Sequence, residues 1–96
     1  MPNIQFTDIH NSTASNKVII EKAKKVLLGN KKNGFTLPTN NKLYPAQWNW
    51  DSGFIALGYS YFNIKYAFDE ISTLLKGQWK DGMIPHILFH DLNTNY

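Results

Sequence analysis

The sequence predicts an all-α fold in which helices pack in two layers. Apolar residues recur at the three- and four-residue spacing of helices in successive segments of the chain. One segment is apolar on every side, whereas its neighbours are apolar on one side only. A single residue, Asn63, joins the all-apolar segment to the next one, so the two should form an αα-hairpin of an inner and an outer helix.

The first predicted helix runs from Asn16 to Leu28, with Ser15 as its N-cap and Gly29 after its last turn. The residues before Ser15 predict a short extended or frayed lead-in. Charged residues take one face of this helix and apolar residues the other. The apolar face consists of Ile19, Ala23, Val26 and Leu27. We therefore expect this helix to pack on protein with one side.

The connection to the second helix contains a predicted turn at Asn33-Gly34 and a short strand near Phe35, which Pro38 ends. It leads into residues 44–53, here called the aromatic segment, which hold two tryptophans, a tyrosine, an amide and a carboxylate. Aromatic faces beside hydrogen-bonding groups are suited to holding a sugar. The aromatic segment is therefore the first candidate for a binding site.

The second predicted helix runs from Ser52 to Phe62, with Asp51 or Ser52 as its N-cap. No charged residue lies between Asp51 and Lys65, and apolar side chains point all round the axis. Such a helix must be surrounded by protein, and 96 residues are too few to surround it. We therefore expect the chain to be the first part of a longer domain. A stripe of small residues that would admit another helix consists of Gly53, Ala56 and Ser60.

The third predicted helix runs from Ile64 to Lys76, with Asn63 as its N-cap and Gly77 at its end. Its predicted buried stripe consists of Ile64, Phe68, Ile71, Leu74 and Leu75. Its predicted solvent face consists of Lys65, Asp69, Glu70 and Thr73. Adjacent helical residues diverge by about 100°, so Asp69 and Glu70 cannot flank one bond as an acid and a base.

Residues 77–90, here called the second loop, again mix aromatic rings, an amide and histidines. Asp81-Gly82 predicts a turn, and Pro85 argues against a helix. We expect this loop to face the aromatic segment. His86 and His90 are four residues apart, but Pro85 disfavours the helix that would align them, and neither cysteine nor glutamate completes a zinc pattern. No metal or cofactor is therefore predicted.

Composition argues against several classes of partner. All ten basic residues are lysines, scattered along a chain of net charge +3, so arginine is missing for the bidentate contacts common in nucleic-acid recognition. The N-terminal residues lack an apolar signal sequence, and no apolar run approaches the roughly 20 residues that span a bilayer. We predict a cytoplasmic protein without nucleic-acid or membrane partners, and its oligomeric state stays open.

Two motifs carry a family resemblance: Tyr-Pro-x-Gln-Trp-x-Trp-Asp-Ser at Tyr44–Ser52, and Gly-Gln-Trp-x-x-Gly-Met-x-Pro-His at Gly77–His86. Together they resemble the N-terminal part of the six-hairpin (α/α)-barrel glycosidases of glycoside hydrolase family 63, nearest to the mannosylglycerate hydrolase-like branch. The resemblance covers about half the chain, Leu43 to His90. It implies that residues 1–96 are the N-terminal portion of a single (α/α)-barrel catalytic domain.

The resemblance further implies that the full-length protein is an inverting glycosidase that hydrolyses an α-linked glucosyl or mannosyl glycoside. Its aspartic general acid and glutamic general base would lie further along the barrel, so no catalytic residue is expected in this chain. The substrate, a small carbohydrate, would contact residues of both motifs. Those residues are Tyr44, Trp48, Trp50, Asp51 and His86, with Gln78 as a further candidate.

Each candidate also has a purely structural interpretation. Asp51 would accept hydrogen bonds from sugar hydroxyls, or cap a helix, and a helix N-terminus favours its charged form over a general acid. Trp48 and Trp50 would form a platform on one side of an extended segment, or pack in a core, as tryptophans often do. Tyr44 has the same two alternatives, and His90 is interpreted as structural.

Two other functions are compatible with the same residues. The chain would be a non-catalytic carbohydrate-binding module if it kept the aromatic site without the barrel. It would be a helical interaction module or scaffold if the tryptophans and tyrosines served only as a core.

Overall fold

The computed structural model describes residues 13–39 and 42–91. Within them the chain forms three helices and a sheet of two short strands, so the predicted helical character is confirmed. The predicted lead-in lies almost entirely outside these residues. In chain order the elements are α1 (Thr13–Gly29), β1 (Gln47–Trp48), α2 (Asn49–Tyr59), α3 (Ile64–Leu75) and β2 (Ile87–Leu88).

Helix α1 begins before its predicted start, so Ser15 lies inside the helix rather than at its N-cap, and Gly29 is its last residue. Of the predicted apolar face, Leu27 packs against the core, whereas Ile19 and Val26 are exposed. Gly58 of α2 makes this contact possible, because a Cβ atom there would lie 3.3 Å from Leu27 Cδ1. The glycine therefore admits α1, which compensates for its low helix propensity.

The predicted αα-hairpin of α2 and α3 is confirmed, but α2 ends at Tyr59, so residues 60–63 join the two helices and not Asn63 alone. Asn63 is the N-cap of α3, and its Oδ1 accepts a hydrogen bond from the Tyr66 N–H at 3.2 Å. The predicted caps of α2 are wrong, because α2 begins at Asn49 after an extended Trp48 that makes no side-chain cap bond. Instead the Asn49 N–H donates to the His86 carbonyl at 2.9 Å, so a neighbouring strand end satisfies a free donor of the helix.

The faces that α2 and α3 bury differ from the predicted ones. The buried residues are Ser52, Ala56 and Tyr59 of α2 and Ala67, Glu70 and Leu74 of α3. In the predicted stripes, Gly53 and Ser60 are exposed, and Phe68 is 68% exposed. Glu70, predicted to face solvent, is only 1% exposed. Small residues let the two helices approach closely, and polar partners from outside α3 accommodate the carboxyl group.

Much of the apolar surface of the hairpin remains exposed in this chain. Phe54, Leu57 and Tyr61 are exposed around α2, which therefore has its packing partners on one side only. None of the helices in residues 13–39 and 42–91 has both the length and the apolar character needed to cross a membrane.

The segment after α1 folds back as a loop and not as the predicted strand near Phe35. Lys31 and Thr36 form an isolated bridge, and the Leu37 N–H donates to the Asn30 carbonyl at 2.9 Å. The predicted turn at Asn33-Gly34 lies at the tip, where Gly34 has a positive φ of 87°. Thr36 and Leu37 are thereby buried against the hairpin.

Candidate functional site

The aromatic segment and the second loop lie side by side. Strands β1 and β2 pair antiparallel, with Gln47 opposite Leu88 and Trp48 opposite Ile87. Asn49 extends the contact, because its Nδ2 donates to the Pro85 carbonyl at 3.2 Å. The predicted juxtaposition of the two motifs is confirmed, and it rests on backbone pairing that the sequence did not indicate.

The second loop has a defined internal structure. The Trp79 N–H donates to the Met83 carbonyl at 2.8 Å, and the Gly82 N–H donates to the Trp79 carbonyl at 2.9 Å, so the predicted turn at Asp81-Gly82 is present. Gly77 allows the loop to fold back over the end of α3, since a Cβ atom there would lie 2.9 Å from Leu88 Cδ1. Gln78, a predicted site residue, is exposed and donates to the Gly82 carbonyl at 3.0 Å.

The predicted aromatic platform is divided between two elements. Trp48 ends β1 and is half-buried, and its ring packs edge-on against exposed Tyr44 with centroids 5.1 Å apart. Trp50 lies in the first turn of α2, 71% exposed, with its ring 5.3 Å from that of Phe54. The expectation that one extended segment projects both tryptophans to the same side is therefore wrong, because the helix begins between them.

Two charged or titratable candidates lie near the junction of β1 and α2. Asp51 is in the first turn of α2 and half-buried. His86 precedes β2 and is exposed. Its backbone carbonyl takes the hydrogen bond from Asn49, which leaves the imidazole ring at the rim of the site.

Two residues of the aromatic segment, Gln47 and Ser52, form a cluster of fully buried polar side chains with Glu70 of α3, here called the buried polar cluster. Gln47 Nε2 donates to Ser52 Oγ at 3.0 Å and to the Glu70 backbone carbonyl at 2.9 Å. Ser52 Oγ donates to Glu70 Oε1 at 2.8 Å. The cluster therefore links both ends of the turn from β1 into α2 to the middle of α3.

The cluster also fixes the ring of His90. Because Gln47 Nε2 donates to a backbone carbonyl, which can only accept, Gln47 Oε1 must face His90 Nε2, 2.9 Å away. His90 Nε2 is therefore the donor and carries the proton. The ring also stacks on Phe35 with centroids 4.0 Å apart, in agreement with the structural role predicted for His90.

Burial alters the titration of two of these groups. It raises the pKa of the Glu70 carboxyl, and hydrogen bonds from Ser52, Thr36 and Gln47 only partly offset that effect. Burial, with the Lys76 charge as a smaller cause, lowers the pKa of His90. Both shifts favour the neutral forms, although Glu70 is fully buried whereas His90 lies at the surface and is only partly desolvated.

Sequence reasoning missed this cluster, and the prediction that Glu70 lies on a solvent face is wrong. Ala67, Glu70 and Leu74 recur at three- and four-residue spacing, which is a stripe in its own right. Apolar content alone favoured the neighbouring stripe with Phe68. Gln47 and Ser52 lie within the first motif, so their positions, but not their partner, were visible in the sequence.

A separate cleft of about 590 Å³ lies along α3, and none of the six predicted site residues lines it. Its lining residues include Lys31, Lys65, Asp69, Lys76 and His90. Lys65 and Asp69 form an exposed ion pair at 2.7 Å there. The cleft carries mixed surface charges and lacks the aromatic rings that mark the predicted site.

Comparison with known proteins supports the family resemblance. The mannosylglycerate hydrolase MGH1-like glycoside hydrolase domain matches residues 44–95, more than half of the chain. Mannosylglycerate hydrolase MGH1 of Selaginella moellendorffii is 42% identical over 77 residues, which are 80% of this chain and 16% of that protein. Glucosylglycerate hydrolase of Mycolicibacterium hassiacum is 49% identical over 47 residues, covering 49% of this chain and 10% of that protein.

A solved structure agrees with these matches. The GH63 mannosylglycerate hydrolase from Thermus thermophilus, in complex with Tris and D-glycerate, aligns with a TM-score of 0.75 at 44% identity. The alignment covers 81% of this chain and 19% of that one. The class common to all these proteins is the glycoside hydrolases. Within that class, the chain belongs to the mannosylglycerate hydrolase MGH1-like family, and it spans about a sixth of the length of its Selaginella relative.

Proposed function

We propose that this chain is the N-terminal, substrate-binding part of an inverting α-glycosidase whose substrate is a mannosyl or glucosyl glycoside, such as a glycosylglycerate. The observation that carries the proposal is the β1–β2 pairing, which joins the strand immediately before Trp50 and Asp51 to the second loop. Both segments lie within the region that matches the family. The relatives named for mannosylglycerate and glucosylglycerate hydrolysis support the choice of sugars.

The proposed binding residues offer two kinds of contact to a sugar, apolar contacts from rings and hydrogen bonds from polar groups. The rings of Tyr44, Trp48 and Trp50 offer apolar faces for the C–H side of a pyranose, and a charged Asp51 offers two oxygens to its hydroxyl groups. His86 and Gln78 supply polar groups from the second loop. Trp50 is 71% exposed in this chain, so its ring is accessible to a ligand unless the rest of the barrel covers it as it would cover Phe54.

The chemical step is assigned to residues outside this chain. Inversion needs a general acid and a general base about 6.5–9.5 Å apart on opposite sides of the glycosidic bond. Glu70 is only 1% exposed, so its carboxyl group does not reach a glycosidic bond. Asp51 is assigned to binding the hydroxyl groups of the sugar.

The rest of a six-hairpin barrel would cover the apolar residues that this chain leaves exposed. The side chains that await such cover are Phe54, Leu57, Tyr61, Ile64 and Phe68. A small carbohydrate as substrate, a cytoplasmic location, and the absence of nucleic-acid and membrane partners belong to the same proposal. The scattered lysines and the lack of arginine favour the absence of a nucleic-acid partner.

The test uses the full-length protein that carries this chain. Purified enzyme is incubated with α-mannosylglycerate and α-glucosylglycerate, and proton NMR follows the released sugar. Hydrolysis with first release of the β-anomer is expected, because inversion converts an α-linkage into a β-hemiacetal. Absence of hydrolysis of both compounds would contradict the proposed activity, and first release of the α-anomer would contradict inversion.

The variant Asp51→Asn tests the binding role within that assay. We expect kcat/KM to fall about 30-fold, because hydrogen bonds to a charged acceptor are worth about 1.5–3 kcal/mol. The melting temperature should change little, since Asp51 is not the N-cap of α2. Asp69→Asn, on the exposed face of α3, is the matched control and should leave both quantities unchanged. A fall in melting temperature with unchanged kcat/KM would instead assign Asp51 a structural role.

A further inference from the structure

We propose that Glu70 is a positioning residue for the aromatic segment: through Gln47 and Ser52 it fixes both ends of the turn that carries residues 48–51. The inference rests on the proposed sugar-binding role of that segment and deepens it. Glu70 itself is buried and does not reach a ligand, so its effect would act through the residues it holds.

The hydrogen-bond geometry leaves little freedom around the turn. Gln47 is the first residue of β1, and Ser52 is the fourth residue of α2. Glu70 accepts from Gln47 with its backbone carbonyl and from Ser52 with its carboxyl group. Since Gln47 also donates to Ser52, the three residues form a closed ring of bonds, and the residues between Gln47 and Ser52 are held at both ends.

The Ser52 hydroxyl needs an acceptor at the Glu70 side chain. The Ser52 hydroxyl accepts from Gln47 and has one proton to donate. Glu70 Oε1 takes that proton at 2.8 Å, whereas its distance to Gln47 Nε2 is a longer 3.5 Å. Without an acceptor there, a buried hydroxyl would lose its partner, at a cost comparable to that of a lost hydrogen bond.

The same cluster reaches the second loop. The side-chain amide of Gln47 donates from Nε2 to the Glu70 backbone carbonyl and accepts at Oε1 from His90 Nε2. The Gln47 amide therefore connects α3 with the second loop. Hydrogen bonds from Thr36 to the Glu70 carboxyl add the loop after α1. Glu70 thus contacts Gln47 through its backbone carbonyl and Ser52 through its carboxyl group, so its side chain acts on the aromatic segment through Ser52.

A buried carboxyl group is costly, which argues for a specific role. An apolar residue at this position of α3 would avoid the desolvation penalty, yet the residue found there is the fully buried Glu70, whereas the neighbouring Asp69 is only half-buried. Burial raises the pKa of Glu70, and the hydrogen bonds from Ser52, Thr36 and Gln47 offset this only in part. In either protonation state the carboxyl group can accept the Ser52 proton, so its positioning function persists.

The experiment compares Glu70→Ala and Glu70→Gln in the full-length enzyme, with kcat and KM measured on the glycosylglycerate that the wild type hydrolyses. For Glu70→Ala we expect KM to rise about 10-fold, because slight misplacement of binding groups costs one to two orders of magnitude. Glu70→Gln keeps the acceptor oxygen and should restore KM to within about threefold of the wild type. Asp69→Ala is the control on the neighbouring residue and should leave KM unchanged.

A merely structural role would have a different kinetic signature. It would reduce the fraction of active protein and hence the apparent kcat, with KM unchanged for the molecules that remain folded. An unchanged KM in folded Glu70→Ala would therefore overturn the proposal. If Glu70→Ala does not fold, Ser52→Ala decides, because it removes only the hydroxyl between Gln47 and Glu70. It should raise KM in the same direction, and an unchanged KM would again overturn the proposal.

Failure of the proposed function is a separate result. If the wild type hydrolyses no glycosylglycerate, that activity is wrong, and crystal structures of the wild type and Glu70→Ala then test positioning directly. A change in the orientation of the Trp48 or Trp50 ring would support the role of Glu70. Identical ring positions in the two structures would overturn it. The same comparison can be made with Ser52→Ala.

Discussion

Residues 47–52 present two contrasting sides. On one side, Gln47 and Ser52 are fully buried and hydrogen-bonded to Glu70. On the other side, Trp50 is 71% exposed, and its ring packs against that of Phe54 in the next turn of the same helix. Within this one turn, the buried side chains hold the fold together and the exposed ring is available to a ligand. Substitutions of buried residues should therefore affect stability, and substitutions of exposed residues should affect ligand binding.

The largest effect is expected on the buried side. Gln47→Met keeps the side-chain volume but removes the bonds to Ser52, the Glu70 carbonyl and His90. We expect the free energy of unfolding to fall by about 2–3 kcal/mol, because buried partners are left unpaired. Urea denaturation followed by circular dichroism measures it.

Gln78→Met is the matched control, because the Gln78 amide is exposed and bonds within its own loop. Its free energy of unfolding should stay within about 0.5 kcal/mol of the wild type. Equal losses for the two variants would contradict the division between a supporting and a recognising side.

A smaller effect is expected on the exposed side. Trp50→Ala should weaken sugar binding about 10-fold, which corresponds to about 1.4 kcal/mol, since the ring supplies contact area. Its free energy of unfolding should change by less than about 0.5 kcal/mol, as for other exposed substitutions. Intrinsic fluorescence titration gives the affinity, and Trp50→Phe should recover most of it. A large loss of stability would show that the ring supports the fold.

The smallest effect is a dependence of stability on pH. The pKa of Glu70 is raised above its usual 4.5 in the folded state, so above pH 4.5 the folded state holds a proton that the unfolded state releases. The free energy that Glu70 contributes to folding is therefore fully present below pH 4.5. It is lost as the pH rises through the folded pKa. Glu70→Gln removes the contribution. The stability of this variant relative to the wild type should therefore increase with pH above 4.5.

The pH comparison has to separate Glu70 from His90. The pKa of His90 is lowered below its usual 6.5, so its effect runs the other way, and stability is lost as pH falls from that value toward the folded pKa. The contribution of His90 is common to wild type and Glu70→Gln, so it cancels in their difference. A stability difference that is flat from about pH 4 to 8 would contradict the raised pKa of Glu70.

Of the predicted helix N-caps, only that of α3 was found. The Asn63 N-cap of α3 was predicted and found, because a side-chain cap acts on residues within one turn. The start of α2 was not, because its first N–H groups are satisfied in part by the His86 carbonyl, far away in the chain. The burial of Glu70 was missed for the same reason, since its partners come from other elements.

Periodicity and capping, which act over a few residues, were enough to predict the helical hairpin, and the family resemblance of the two motifs predicted six sugar-binding residues. The pairing of β1 with β2, the separation of Trp48 and Trp50 into different elements, and the burial of Glu70 became visible only in the folded chain. The physical reason is that a polar group is buried only where partners distant in sequence satisfy it, and those partners become visible only when the chain is folded.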